Sequence, residues 1–361
     1  LCAGCAMASG SALSGGQAES RPFRYFRRSG AGAREGREAT RGLGSNPLIP
    51  PSIPEAAARS QWIETGAGPR LRFYSLHSAV ADGPVLLWGH ANGFSAGSYL
   101  PWLQQIATRM RVFAFDARGH GGSEYPGEPL AQTCRADALA EDLAAVVEAL
   151  RAIVGAAADI HFAAHSYTGL AALRLGSLHG HCPWKSATLF EPPLSPTPDV
   201  PGHAIASELA EALVNGALRR RDAWAGPAAL AERLGASSAY ADWDKDMLAA
   251  HCAAILRPVV EGEGYRLACD PKVEAQGYRM TMDCTTYEYA GLFDCPTTFV
   301  ASDLPKEGGT PSWASRMQGL AAEKVPGARL VRMPGTGHMM IFEQPQEALR
   351  ILFESINTTD R

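Results

Sequence analysis

The segment Phe162-Ala163-Ala164-His165-Ser166-Tyr167-Thr168-Gly169 runs from a short apolar strand into a helix, with a serine at the junction. A sharp turn between a strand and a helix holds such a serine in a strained conformation and exposes its hydroxyl, so the residues two before and two after it need to be small. Ala164 meets this requirement, whereas the β-branched Thr168 is crowded. The segment predicts that Ser166 is a nucleophile, the alternative being an ordinary serine at a helix N-cap.

Strand and helix patterns alternate on both sides of this junction. Strand patterns at residues 85–89, 111–115 and 160–164 alternate with helical patterns at 99–110, 136–154 and 167–178, and the alternation resumes near the end of the chain. Such alternation is typical of parallel sheets covered by helices. The chain is therefore predicted to have an α/β fold with a mostly parallel central sheet of about eight strands flanked by helices.

Three regions differ in composition. Residues 1–58 are rich in Gly, Ser, Ala and Arg without hydrophobic periodicity, which predicts disorder. A targeting peptide, a lipoprotein signal ending at Cys5 and translated sequence upstream of a start at Met7 remain open for this region. Residues 59–195 and 293–361 are predicted to form the core, and residues 196–292, with Ile205, Leu209 and Leu213 at four-residue spacing, a helical lid inserted into it.

Composition excludes several classes of function. The 361 residues carry a net charge of −4 and are 46% hydrophobic, which does not indicate nucleic-acid binding. No apolar run approaches the roughly 20 residues of a membrane-spanning helix, so we expect a cytoplasmic protein, although the N-terminal region leaves export open. No phosphate-binding glycine loop or metal-ligand spacing occurs, so neither cofactor nor metal is expected. The oligomeric state stays open.

Two further segments follow predicted strands and carry a family resemblance. They are Trp88-Gly89-His90-Ala91-Asn92-Gly93-Phe94 and Phe115-Asp116-Ala117-Arg118-Gly119-His120-Gly121-Gly122-Ser123. From about residue 84 to 356 the chain resembles the α/β-hydrolase superfamily, whose members place an oxyanion-hole loop of His-Gly type after the first of these strands and an Asp-x-Arg-Gly-His-Gly-x-Ser turn after the second. The resemblance implies an oxyanion hole made by the backbone amides of Asn92 and Tyr167, and a structural role for Asp116, Arg118 and His120.

The same resemblance locates a base and an acid. His338 lies in Pro334-Gly335-Thr336-Gly337-His338-Met339-Met340, between the last strand pattern and the final helix, where the family has its histidine. Asp303 follows the preceding strand and is the preferred acid, while Glu191, at the end of the strand before that, is the alternative. The order Ser166, Asp303, His338 is that of the superfamily.

These residues predict a serine hydrolase that cleaves a carboxylic ester or similar acyl bond. His338 would accept the proton of Ser166 as its oxygen attacks a carbonyl, and Asp303 would orient the imidazole. A thioesterase, a carbon–carbon bond hydrolase and a cofactor-free haloperoxidase could use the same triad, and a non-catalytic ligand-binding protein is the alternative from another class. The expected partner is a small, apolar, ester-like substrate.

Overall fold

The computed structural model describes residues 49–259, 262–302 and 313–359. Its strands are β1 (Ala58–Ile63), β2 (Leu71–Leu76), β3 (Val85–Gly89), β4 (Arg111–Phe115), β5 (Ile160–His165), β6 (Ser186–Phe190), β7 (Ala223–Trp224), β8 (Leu256–Pro258), β9 (Tyr265–Leu267), β10 (Thr297–Ser302) and β11 (Arg329–Met333). Its helices are α1 (Leu100–Ile106), α2 (Leu130–Thr133), α3 (Ala136–Val154), α4 (Tyr167–His179), α5 (His203–Leu218), α6 (Pro227–Gly235), α7 (Lys245–Ala254), α8 (Pro271–Met280), α9 (Thr285–Glu288), α10 (Trp313–Lys324), α11 (Met340–Glu343) and α12 (Pro345–Thr359). Over these ranges, none of the helices is both long and apolar enough to cross a membrane.

Eight strands form the main sheet, in the order β1-β2-β4-β3-β5-β6-β10-β11. The first two pairings are antiparallel, and every pairing from β4 to β11 is parallel. The predicted α/β fold with about eight mostly parallel strands is thereby confirmed. Because β3, β5, β6 and β11 run in the same direction, the loops after them meet at one edge of the sheet.

The strand β3 explains why the sheet has helices on both faces. All five of its residues are buried. Val85 and Leu87 belong to a cluster with helices α3, α4 and α10, whereas Leu86 and Trp88 belong to a second cluster with α1 and α12. Since neighbouring side chains of a strand point to opposite faces, a strand covered on both sides reads as a continuous apolar run.

The folded core begins earlier than the predicted residue 59. Ile53 is fully buried, and the Ser52 hydroxyl donates to the carboxylate of Asp116 over 3.0 Å. The backbone N–H of Ser52 also donates to the hydroxyl of Tyr74 over 2.7 Å. The segment was not predicted to fold because it has no periodic apolar pattern, although Ile53 and Ala58 are both fully buried. Residues 1–48 of the predicted disordered region lie outside the described part of the chain.

The connection from β6 to β10 contains an insertion, defined here as residues 203–292. It holds helices α5 to α9, within the range 196–292 for which a helical lid was predicted, and α5 packs along α8. It also contains a small antiparallel sheet in the order β7-β9-β8, which was not predicted. Strands of two or three residues are too short to produce an alternating pattern in the sequence.

Candidate active site

Two neighbouring strand ends carry backbone strain. Ser166 has φ 54° and ψ −112°, and Glu191 has φ 44°; in the described ranges they are the two residues other than glycine with positive φ. His165 and Phe190 are partners in the parallel pairing of β5 and β6, so Ser166 and Glu191, which follow them, lie side by side. Strained residues of this kind cost on the order of 1–3 kcal/mol and concentrate at functional sites. The turn at Ser166 therefore has the geometry expected of a nucleophile elbow.

The crowding expected at Thr168 is relieved by a glycine on the adjacent strand. A Cβ added at Gly89 would lie 2.3 Å from Oγ1 and 2.7 Å from Cβ of Thr168. Thr168 is buried, and its hydroxyl donates to the carbonyl of His90 over 3.0 Å. The elbow thus accommodates a threonine because β3 ends in glycine.

His338 is hydrogen-bonded to a buried carboxylate. Its Nδ1 lies 2.6 Å from Oε2 of Glu191, whose side chain is fully buried. The other carboxylate oxygen, Oε1, accepts from the backbone N–H of Ser302 over 2.7 Å and from its hydroxyl over 2.6 Å. A carboxylate only accepts hydrogen bonds, so Nδ1 of His338 carries the ring proton. In the neutral imidazole Nε2 then has the lone pair that a general base requires.

Among the described residues, Glu191, the alternative acid of the sequence analysis, is thus hydrogen-bonded to His338. Asp303 itself lies outside the described residues. The Nδ1 atom carries one proton and can donate one hydrogen bond, which Oε2 of Glu191 accepts over 2.6 Å. The choice between Asp303 and Glu191 stays a prediction. Glu191 lies near Ser166 because it follows β6, which pairs with β5, the strand before Ser166. That adjacency depends on strand order, which the sequence did not reveal.

The predicted oxyanion-hole residues lie at two strand ends beside Ser166. Tyr167 is the first residue of α4, so its N–H is among those that have no acceptor within the helix. Asn92 follows β3, and its side-chain amide donates to the carbonyl of Glu274 over 2.8 Å. Asn92, Tyr167, Ser166 and His338 line the same cavity. The structure thus brings together four of the residues that the sequence analysis proposed.

This cavity of about 240 Å³ has a mainly apolar wall that the insertion completes. Helix α5 contributes Leu209 and Leu213, and α8 contributes Tyr278. The remaining described residues of its lining are Ala91, Pro193, Leu194, Ser195, Ala206, Ala210, Thr281, Met282 and Met339. None of these described lining residues is Lys, Arg, Asp or Glu.

A histidine and a tyrosine that the sequence analysis did not assign hold the loop of His338. Nε2 of His165 lies 3.0 Å from the carbonyl oxygen of His338, and its Nδ1 lies 2.7 Å from the hydroxyl of Tyr99. Burial lowers the pKa of His165 well below its usual range, so the ring is neutral. A carbonyl only accepts, so Nε2 donates to His338 and Nδ1 accepts from Tyr99. The Tyr99 oxygen in turn accepts from the N–H of Ala91 over 3.3 Å, which links both loops of the site.

The turn after β4 has the structural role that the resemblance implied. The buried carboxylate of Asp116 accepts from the backbone N–H groups of Ala96 (2.7 Å) and Gly122 (2.6 Å). Arg118 donates to both carboxylate oxygens of Asp142 over 2.7 Å. Neither Asp116 nor Arg118 lines the cavity.

This fold agrees with comparisons to known proteins. Residues 85–350 match the model of the Alpha/beta hydrolase family, so the chain belongs to that family. No curated protein sequence matches the chain.

Solved structures show the same fold at low sequence identity. Similar ones include an E-2-(acetamidomethylene)succinate hydrolase, with TM-score 0.65, 18% identity, and coverage of 83% of this chain and 99% of that one. A thioesterase domain from the curacin biosynthetic pathway has TM-score 0.61 and 17% identity, covering 82% of this chain and 99% of that one. A thermophilic esterase from Thermogutta terrifontis has TM-score 0.58 and 18% identity, covering 84% and 99%.

The contact between Gly89 and Thr168 predicts a compensating pair of substitutions. We expect Gly89→Ala to destabilise the protein by about 1–3 kcal/mol, because its methyl group would overlap Thr168. In a Thr168→Gly background the same substitution should cost little, since the overlapping atoms are gone. Urea unfolding of the four proteins measures the coupling free energy.

Gly216→Ala is the matched control. Gly216 is a solvent-exposed residue in the middle of α5, and no atom lies within 4 Å of an added Cβ. It should stabilise the protein by up to about 1 kcal/mol, as alanine does in a helix. Equal costs of Gly89→Ala in both backgrounds would contradict the packing described for the elbow.

Proposed function

We propose that the protein is a serine hydrolase that cleaves a carboxylic ester through an acyl-enzyme. Ser166 is the nucleophile, His338 the general base, and Glu191 the acid that orients it. The observation that carries this proposal is the hydrogen bond between His338 and Glu191 in a cavity that Ser166 also lines. A non-catalytic member of the family would have no need of two strained residues at this point.

The proposed reaction begins with attack by Oγ of Ser166 on the substrate carbonyl. Nε2 of His338 takes the hydroxyl proton, and the imidazolium that forms is stabilised by the Glu191 carboxylate. The N–H groups of Asn92 and Tyr167 donate to the oxyanion of the tetrahedral intermediate. His338 then protonates the leaving alkoxide, and a water activated by the same histidine hydrolyses the acyl-enzyme.

The wall of the cavity supports an uncharged acyl group as substrate. Its described lining is apolar apart from hydroxyl and amide groups and His338. A charged acyl group would have to enter this wall without an opposite charge, which is costly. One structurally similar hydrolase is named for a succinate, but the described lining here offers no cation to pair with a second carboxylate. A thioester is the second candidate substrate, because the same groups would act on it.

Ser166→Ala is expected to abolish both hydrolysis and covalent labelling. The substitution should lower kcat for a p-nitrophenyl ester by roughly 10⁴- to 10⁶-fold, since the attacking oxygen is removed. A fluorophosphonate probe, detected by mass spectrometry, should label the unmutated protein at Ser166 and leave the variant unlabelled.

Ser177→Ala is the matched control, because its buried hydroxyl on the same helix donates only to the carbonyl of Leu173. It should retain labelling. Absence of labelling and hydrolysis in the unmutated protein would favour the non-catalytic alternative.

Glu191→Gln is expected to inactivate the enzyme through the wrong tautomer of His338. Ser302 donates two hydrogen bonds to Oε1, so a glutamine would place its oxygen there and turn its NH₂ group towards Nδ1. Nδ1 would then accept, and Nε2 would carry the proton and lose its function as a base. We expect kcat to fall by about 10⁴-fold, and to change by less than about threefold in Asp303→Asn.

The two variants are compared by steady-state kinetics, with circular dichroism to verify folding. A larger loss in Asp303→Asn than in Glu191→Gln would restore Asp303 as the acid. Equal large losses would mean that both carboxylates serve the base.

The acyl preference is tested with a pair of esters that differ at one end. We expect kcat/KM for p-nitrophenyl hexanoate to exceed that for the p-nitrophenyl monoester of adipic acid by at least about tenfold, because the second carboxylate meets an apolar wall. Leu213→Arg, which places a cation at the cavity, should reduce this ratio. Equal kcat/KM values in the unmutated protein would rule out an uncharged acyl group as the preferred substrate.

A further inference from the structure

The side chain of Asn92 is fixed between the core and the insertion. Its Nδ2 donates to the carbonyl of Glu274 in α8 over 2.8 Å, and its Oδ1 lies 3.2 Å from Nε2 of His120 in the turn after β4. Only 6% of the residue is exposed. Asn92 therefore connects a helix of the insertion with a turn of the core.

Helix α8 comes this close to Asn92 because it carries a glycine at the contact. A Cβ added at Gly277 would lie 2.6 Å from Oδ1, 2.8 Å from Nδ2 and 2.9 Å from Cγ of Asn92. Gly277 has ordinary helical backbone, so the requirement for glycine is one of space. An alanine there would push on the side chain of Asn92.

An ion pair between two residues of the insertion lies against the same loop. Glu274 is buried, and its Oε2 accepts from Nη1 of Arg220 over 2.5 Å. A Cβ added at Gly93 would lie 2.7 Å from Oε1 of Glu274, and Gly93 has φ +75°, which also favours glycine. The loop of Asn92 and Gly93 is thus shaped by α8 at two consecutive residues.

We infer that helix α8 of the insertion is part of the oxyanion apparatus, with Gly277 and Glu274 as positioning residues that fix Asn92 and so aim its backbone N–H at the reacting carbonyl. This inference rests on the proposed function. The insertion would then control the rate of the chemical step in addition to forming a wall of the cavity. An oxyanion donor contributes only where it is held in place before the reaction, so a small displacement of Asn92 lowers kcat.

A double-mutant cycle between Gly277 and Asn92 tests the inference. Gly277→Ala should lower kcat for p-nitrophenyl hexanoate by about tenfold and leave KM within about twofold, because the ground state does not use the hole. The inhibition constant of an alkyl trifluoromethyl ketone, which forms an oxyanion on Ser166, should rise by the same factor as kcat falls. Hydrogen exchange of a peptide covering residues 88–94 should become faster.

In an Asn92→Ala background, Gly277→Ala should have no further effect on kcat, on the inhibition constant or on exchange, because the atoms that it displaces are absent. Asn92→Ser serves as the background if Asn92→Ala does not fold. Gly216→Ala in α5, with open space around an added Cβ, should leave all three quantities unchanged.

Equal effects of Gly277→Ala in both backgrounds, or unaltered exchange of residues 88–94, would overturn the inference. Faster exchange with unchanged kcat and inhibition constant would also overturn it, while the proposed hydrolase function would stand. A protein without hydrolysis that depends on Ser166 would instead refute the proposed function, and the inference with it.

Discussion

The left-handed backbone at Ser166 and Glu191 is the constraint on which the site depends. The strained backbone at each residue costs free energy. Hydrogen bonds between neighbouring strands of the main sheet continue to both residues and offset that cost. The N–H of Ser166 donates to the carbonyl of Phe190 over 2.8 Å, and the N–H of Glu191 donates to that of Val300 over 2.9 Å. Three adjacent parallel strands, β5, β6 and β10, therefore hold the two residues at neighbouring positions.

The buried carboxylate of Glu191 extends this constraint to His338. A carboxylate removed from water needs hydrogen-bond donors, and Ser302 and His338 supply them. His338 is held a second time, through its backbone carbonyl, by His165, the residue immediately before Ser166. The loop that carries His338 is thus attached to β5 through His165 and to the end of β6 through Glu191.

The insertion adds to the site what the sheet edge does not provide. Its helices α5 and α8 supply apolar side chains such as Leu209, Leu213 and Tyr278 to the cavity that Ser166 lines, and α8 also contacts the loop after β3. The residues at the strand ends and the cavity wall formed by the inserted helices can vary independently. For this reason a shared fold alone does not identify a substrate. The described lining of the cavity contains neither Lys nor Arg.

The sequence by itself determined the fold class, the position of Ser166 at a strand–helix turn, and the position of His338 after the last strand. These follow from local patterns, namely strand and helix periodicity and short motifs, which act over a few residues. Only the tertiary structure decided that Glu191 bonds His338, that Gly89 makes room for Thr168, and that Gly277 makes room for Asn92. The physical reason is that each of these depends on which strands and helices become neighbours, and partners far apart along the chain leave no local pattern in the sequence.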